Sequence, residues 1–226
     1  MSSDDTYKSF NDFIFAKDTK ILGKLLHRFD FFQQTRHLPG DIVEVGVFKG
    51  SGIASLAKFV DIYCPNSNKK VIGFDFFNPT QSDEMLEKDS ANDQKGMNAV
   101  YARSSTEDRE LATVLRRLDG MEIDKKYMLV EGDVEYTIPA FVEENPGFRI
   151  SLLYIDVDLE RPTYFALKHL WDRVLPGGMV VFDEFEYHTF SESCGVEKFL
   201  KEHGLEFKLR CTDWIAPTAY LIKETF

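Results

Sequence analysis

Carboxylates gather where short apolar runs end, and that placement is the first chemical signal in the chain. Glu44 lies inside Ile42–Val47, and Asp75 follows Val71–Phe74. Asp133 follows Tyr127–Val130, Asp156 and Asp158 follow Ile150–Ile155, and Asp183 and Glu184 follow Met179–Phe182. Acids are common in loops of an acidic protein, so the set weighs more than any one member. An acid pair at the end of a buried strand nevertheless carries a large desolvation and repulsion cost unless a cation offsets it. Hard oxygen ligands suit magnesium or a similar divalent ion, which can orient two adjacent hydroxyls and lower their pKa.

The second signal is the turn Gly46-Val47-Phe48-Lys49-Gly50-Ser51-Gly52. Glycines between a strand and a helix let backbone amides approach a ligand closely. The order Glu44-x-Gly46-x-x-x-Gly50-x-Gly52 lacks the G-x-G-x-x-G spacing of a nicotinamide-dinucleotide site. Asp75 stands where an acid can accept both hydroxyl hydrogens of a ribose, which serves any adenosine ligand. Phe76 and Tyr136 are candidates to pack on an adenine ring, although aromatics beside strands are more often core. Asp133 is a candidate for the adenine edge or the ribose.

The elements that must position these residues follow from apolar patterning. Near-continuous apolar runs read as strands at Ile42–Val47, Val71–Phe74, Tyr127–Val130, Ile150–Ile155 and Met179–Phe182, as strands buried on both faces require. Helices are predicted over Gly50–Tyr63, from about Pro162 onward, and around Val196–His203, with Pro176-Gly177-Gly178 as a turn. Leu205–Cys211 and Trp214–Ile222 are joined too tightly for a helical crossover, so they should pair antiparallel. The alternation predicts an α/β protein, a mostly parallel sheet covered by helices on both faces, with ligands beyond the carboxyl ends of the strands.

The chain has 226 residues, 43% hydrophobic and 14% aromatic, which suits one domain. A net charge of -11 and a pI near 5.0 give no footprint for nucleic acid or an anionic membrane surface, so a small-molecule partner is expected. Cys64, Cys194 and Cys211 form neither a disulfide framework nor a zinc pattern, and no run is apolar over the roughly 18 residues of a membrane span. The expectation is a cytoplasmic protein. Residues 1–38 carry many phenylalanines and are expected to form a helical cap, more as extra core than as a subunit interface, with a homodimer or higher homo-oligomer left open. Residues 39–226 are expected to form the main α/β domain, in which the long polar connection 78–110 is expected to be a lid or mobile loop.

Gly40-Asp41-Ile42-Val43-Glu44-Val45-Gly46-Val47-Phe48-Lys49-Gly50, Val71-Ile72-Gly73-Phe74-Asp75, Thr137-Ile138-Pro139, Tyr154-Ile155-Asp156-Val157-Asp158-Leu159, Leu175-Pro176-Gly177-Gly178 and Asp183-Glu184-Phe185 together resemble the macrocin O-methyltransferase (TylF-like) family. The resemblance covers roughly residues 38–200. It implies a class I, Rossmann-like methyltransferase fold with a seven-stranded sheet ending in an antiparallel hairpin. It also implies methyl transfer from S-adenosylmethionine to a sugar hydroxyl, in natural-product biosynthesis, with bound magnesium or another divalent cation. The donor-binding set would be Glu44, Gly46, Val47, Gly50, Ser51, Asp75, Phe76, Asp133 and Asp156. The metal ligands would be Asp156, Asp183 and Glu184, and the base Asp158. Residues two apart point to opposite faces of a regular strand, so Asp156 and Asp158 act together only if the strand has ended and the chain bends, as the resemblance implies. Val157 and Glu184 depart from the family's usual glycine and aspartate but keep the carboxylates.

His188, just after the acid pair, is a weaker candidate to touch the acceptor or serve as a second base. Three other readings are weighed on sequence: methylation of a catechol-like aromatic diol, which the same donor and metal would serve; a nicotinamide-dependent sugar oxidoreductase, for which neither the glycine spacing nor a hydride-transfer pair is present; and a methyltransferase-like fold that binds partners without catalysis, which need not retain Glu44, Asp75, Asp156, Asp158 and Asp183 together.

Overall fold

A computed structural model describes residues 3–123, 126–206 and 208–224. Parallel strands β1 (Asp41–Val45), β2 (Val71–Asp75), β3 (Tyr127–Glu131), β4 (Ile150–Ile155) and β5 (Val174–Phe182) join β6 (Arg210–Cys211) and β7 (Ala219–Ile222) in one sheet ordered β3-β2-β1-β4-β5-β7-β6. The order reverses direction at β1, so the crevice between β1 and β4 is where ligands collect in such folds. β7 runs antiparallel to both β5 and β6, with Phe182 opposite Ala219 and Arg210 opposite Tyr220. This is the Rossmann-like arrangement expected of a class I methyltransferase.

Alternation along the strands sorts side chains to the two faces. Val43, Val45, Ile72, Phe74, Leu153, Ile155, Val180 and Phe182 face α7 (Val134–Glu144), α8 (Glu160–Leu170) and α9 (Glu192–Glu202). Ile42, Leu152, Tyr154, Met179 and Val181 face α2 (Lys20–Thr35), α3 (Ser51–Tyr63) and α6 (Leu111–Asp119), which follow the short N-terminal α1 (Ser3–Ile14). Glu44 shares that second face, level with Tyr154 on β4, and is therefore carried into a core under α2.

Several elements differ from the sequence reading. The first strand stops at Val45 because Gly46 takes a φ of +93°. Two helices absent from the sequence reading are present, α7 with Pro139 inside it and α6. β5 starts at Val174 and carries Pro176-Gly177-Gly178 as a bulge, so that Ile150 pairs with Val174 while Leu152 pairs with Met179. The C-terminal pair is shorter than predicted, and Phe207 lies outside the described residues. In the N-terminal segment Phe31 and Phe32 enter the core, whereas Phe10 and Phe15 are exposed. Residues 78–110 are largely helical: α4 (Pro79–Leu86) and α5 (Ala91–Tyr101) are capped by Asn78 and Ser90, and a 3-10 turn spans Glu107–Arg109. No helix of the described residues is long and apolar enough to cross a membrane.

Candidate active site

The chain leaves β1 through a corner built on contact between two backbones. A β-carbon at Gly46 would lie 1.9 Å from the Asp156 carbonyl oxygen, and the Asp156 amide donates to the Val45 carbonyl at 2.8 Å. Only glycine fits so close an approach. Gly50, also at positive φ, precedes α3, with Ser51 as its first residue. The Asp75 carboxylate closes this corner. Its Oδ2 accepts from the Val47 and Phe48 amides, both at 2.8 Å, and its Oδ1 accepts a longer bond of 3.3 Å from Phe77. Burial pushes the Asp75 carboxyl up, and those amides oppose the rise. The predicted ribose acid thus also organises the glycine-rich turn and keeps Oδ1 the less engaged oxygen. Phe76 is half-buried beside it, whereas Tyr136 is exposed. Asp133 caps α7 through the Glu135 amide and pairs with Arg161 at 3.3 Å, so it is fixed in place at the rim.

At the neighbouring strands the sequence reading missed two residues that dominate the electrostatics. Lys24 and Arg28, one turn apart on α2, reach down onto the acids. Lys24 Nζ donates to Asp156 Oδ2 at 2.9 Å and to Asp183 Oδ2 at 2.7 Å. An Arg28 guanidinium nitrogen donates to Glu44 Oε1 at 3.0 Å and Asp156 Oδ2 at 3.1 Å, and its Cζ lies 4.6 Å from the centre of the Tyr154 ring. The Tyr154 hydroxyl donates to Asp183 Oδ1 at 2.7 Å. A continuous network therefore runs Glu44–Arg28–Asp156–Lys24–Asp183–Tyr154 across β1, β4 and β5. The sequence did hold a signal for it: Lys24 and Arg28 fall on the same helical stripe as the buried Phe31, Phe32 and Thr35. A basic pair on a buried stripe requires acidic partners.

The remaining acids are less well served. β4 ends at Ile155, and Asp158 takes a left-handed φ of +63°, so the bend implied by the resemblance is present. No Lys or Arg lies at ion-pair distance from Asp158 among the described residues. Burial, reinforced by Asp156 and Asp183, pushes its carboxyl up to about 8. Glu184 is pushed up to about 8 by burial and by Asp183, and its Oε2 is buried without a hydrogen-bond partner. Glu192 approaches from α9, accepts the Glu184 amide at 2.9 Å, and has an equally unpartnered Oε2. Burial raises its carboxyl well above the usual range. Glu44 rises to about 7 through burial against the pull of Arg28, whereas Lys24 and Arg28 outweigh burial at Asp156 and hold it low. His188 is exposed in the loop after β5. No group of three or more His, Cys, Asp or Glu among the described residues is arranged around a single metal position.

The proposed lid rests on this loop. Ser191 donates its amide to Asp93 Oδ1 at 3.0 Å, and Asp93 is buried at the start of α5. Gly96 faces Phe190 so closely that a β-carbon would fall 2.6 Å from its ring.

The family model for macrocin O-methyltransferase (TylF) matches residues 28–220. The chain belongs to the macrocin O-methyltransferase family. This family member is 24% identical over 158 residues to 8-demethyl-8-(2,3-dimethoxy-α-L-rhamnosyl)-tetracenomycin-C 4'-O-methyltransferase of Streptomyces olivaceus, an alignment covering 66% of the chain and 54% of that relative. The chain thus spans about half the length of this curated relative. Apo CalS11, described as a TDP-rhamnose 3'-O-methyltransferase of calicheamicin biosynthesis, superposes with a TM-score of 0.70 at 25% identity, over 96% of this chain and 86% of that one. The O-methyltransferase NovP superposes at 0.68 with 20% identity, over 88% of this chain and 80% of that one, which supports the fold.

Proposed function

We propose that this family member transfers the methyl group of S-adenosylmethionine to a hydroxyl of a sugar-containing small molecule, with Asp158 as the base. The observation that carries this reading is the position of Asp158: a carboxylate turned out of its strand at the rim, beside the ion-paired acids but outside their pairs. The activities for which the tetracenomycin and calicheamicin relatives are named concern rhamnose hydroxyls, which favours a deoxyhexose acceptor over a catechol.

In the transfer, the acceptor oxygen forms a bond to the methyl carbon, the carbon–sulfur bond breaks, and sulfur leaves as the neutral thioether of S-adenosylhomocysteine. The hydroxyl proton passes to Asp158. In its ionised form, a carboxylate whose proton affinity is raised in this way is a stronger base than an ordinary aspartate. Asp75 and the Gly46–Gly50 turn, whose Val47 and Phe48 amides hold that carboxylate, position the donor, with Glu44, Val47, Ser51, Phe76, Asp133 and Asp156 around it. The rigid corner between β1 and β4 holds the line of attack, and alignment supplies much of the rate in such reactions.

The donor set also fits a divalent cation in its chemistry. Asp156, Asp183 and Glu184 offer hard oxygens, Glu184 Oε2 is buried without a partner, and the space between Asp156 and Asp183 already accepts a positive charge from Lys24. When bound, such an ion would supply Lewis acidity toward the acceptor hydroxyl.

Calorimetry with S-adenosylmethionine and with NAD, followed by a methyl-transfer screen over nucleotide sugars, glycosides and catechols, tests the reading. Donor binding and methylation of a sugar hydroxyl are expected. NAD binding without S-adenosylmethionine binding, or turnover of catechols alone, would overturn it.

A further inference from the structure

Lys24 and Arg28 both enter the acid cluster from α2, yet they are held differently. Arg28 has 8% of its side chain exposed, stacks over Tyr154 and bridges Glu44 to Asp156. Lys24 is 20% exposed, and among the described residues its ammonium bridges only Asp156 and Asp183. Those are two of the oxygen sources that the divalent cation of the preceding reading would use. An ammonium is a compact point charge on a flexible four-carbon stem, so it can leave by changing rotamers while the helix stays docked through Arg28.

We propose that Lys24 is a tethered competitor for the divalent cation: its ammonium and the metal exclude each other between Asp156 and Asp183, and loading the site withdraws Lys24. The inference rests on the metal-assisted reading above. Three observations support it. The ammonium lies at 2.9 and 2.7 Å from one oxygen of each carboxylate and so occupies two of the hard oxygens that the cation would need. It leaves Glu184 Oε2 and Glu192 Oε2 buried without partners, so one positive charge fills the site without satisfying it. The other cation of the network, Arg28, is already committed to Glu44 and Asp156. Lys24 is thus a placeholder that shields the acids while no metal is bound, and α2 becomes the element that registers loading.

The test is Mn2+ binding to the full chain, read by electron paramagnetic resonance of the free ion, for the parent, Lys24→Met and Lys24→Gln, with S-adenosylmethionine calorimetry confirming the fold of each variant. Removing a positive charge in direct competition should tighten Mn2+ binding by roughly tenfold or more in both variants. In the parent chain, added Mg2+ should also increase amide exchange across residues 20–28, a readout that needs no variant. Measurable Mn2+ binding that is unchanged or weaker without Lys24, or exchange in 20–28 that ignores Mg2+ at saturation, would overturn the competitor role and leave the metal reading standing. No Mn2+ binding by the parent or by either folded variant would overturn the metal reading and this inference with it.

Discussion

The two halves of the rim solve the same problem, holding buried acids, by different means. On the β1–β2 side, Asp75 is satisfied by main-chain amides of the turn it stabilises. On the β4–β5 side, Asp156 and Asp183 depend on the side chains of one helix, and Asp158, Glu184 and Glu192 are left short of partners. Amides fixed by the backbone cannot leave, so the first half is a finished binding surface. Side-chain cations can leave, and the second half is a surface whose charge balance changes with what is bound. The comparison teaches which half to expect rigid and which responsive.

The largest expected effect falls on the responsive half. Asp158→Asn, similar in shape but unable to take a proton, should lower turnover by roughly 10²–10⁴-fold with donor affinity unchanged, since that is the usual contribution of a general base. Single-turnover rates and donor calorimetry check it, and an unimpaired chemical step would remove Asp158 from the reaction. Exhaustive chelation should likewise abolish turnover while leaving donor binding nearly intact, and full activity after chelation would break the metal assignment.

On the finished half, Asp75→Ala should weaken S-adenosylmethionine binding by about 1–3 kcal/mol, because ribose hydroxyls and turn amides both lose their acceptor. Equal affinities would mean that the turn binds donor without this acid.

The pH response should separate the halves further. Asp158 and Glu184 titrate near 8 in the folded chain, against about 3.9 and 4.3 for unfolded carboxyls. Between those values the folded state binds more protons than the unfolded one, so stability should fall as pH rises through this window. Melting temperatures should therefore drop between about pH 5 and pH 8, and Glu184→Gln should flatten that slope. A slope identical in the variant would show that Glu184 is already satisfied. The smallest effect concerns α5: Asp93→Ala removes the acceptor for the Ser191 amide and should cost about 1 kcal/mol locally, seen as faster amide exchange over 91–101.

Much of the architecture was legible because its strands are apolar runs bounded by acids and glycines, as at Val71–Asp75 and Ile150–Asp156. The antiparallel C-terminal pair followed from the short link before Trp214. What was hidden depends on tertiary context. α7 tolerates Pro139 within its length, and β5 absorbs two glycines as a bulge because pairing resumes at Met179. The acids of the site could be named from their positions after strands, and the bend at Asp158 came only from resemblance. Lys24 and Arg28 were passed over because they sit far upstream in a segment read as a cap. Periodicity places them on a buried stripe, but nothing local says that Asp156 and Asp183, more than a hundred residues later, wait beneath it.

The contact between Gly46 and the Asp156 carbonyl bears on how such a protein can diversify. The glycine-rich turn and the carboxylates after β4 are joined by main chain, with the closest approach at a position where no side chain fits. On the proposed reading, exchanges in the loop after β5, or in α4 and α5, would alter the surroundings of Asp158 without moving the Gly46 corner. The corner works as a fixed datum, like the reference edge of a machine tool, from which the Asp75 side and the Asp156 side of the rim keep one spacing whatever changes around them.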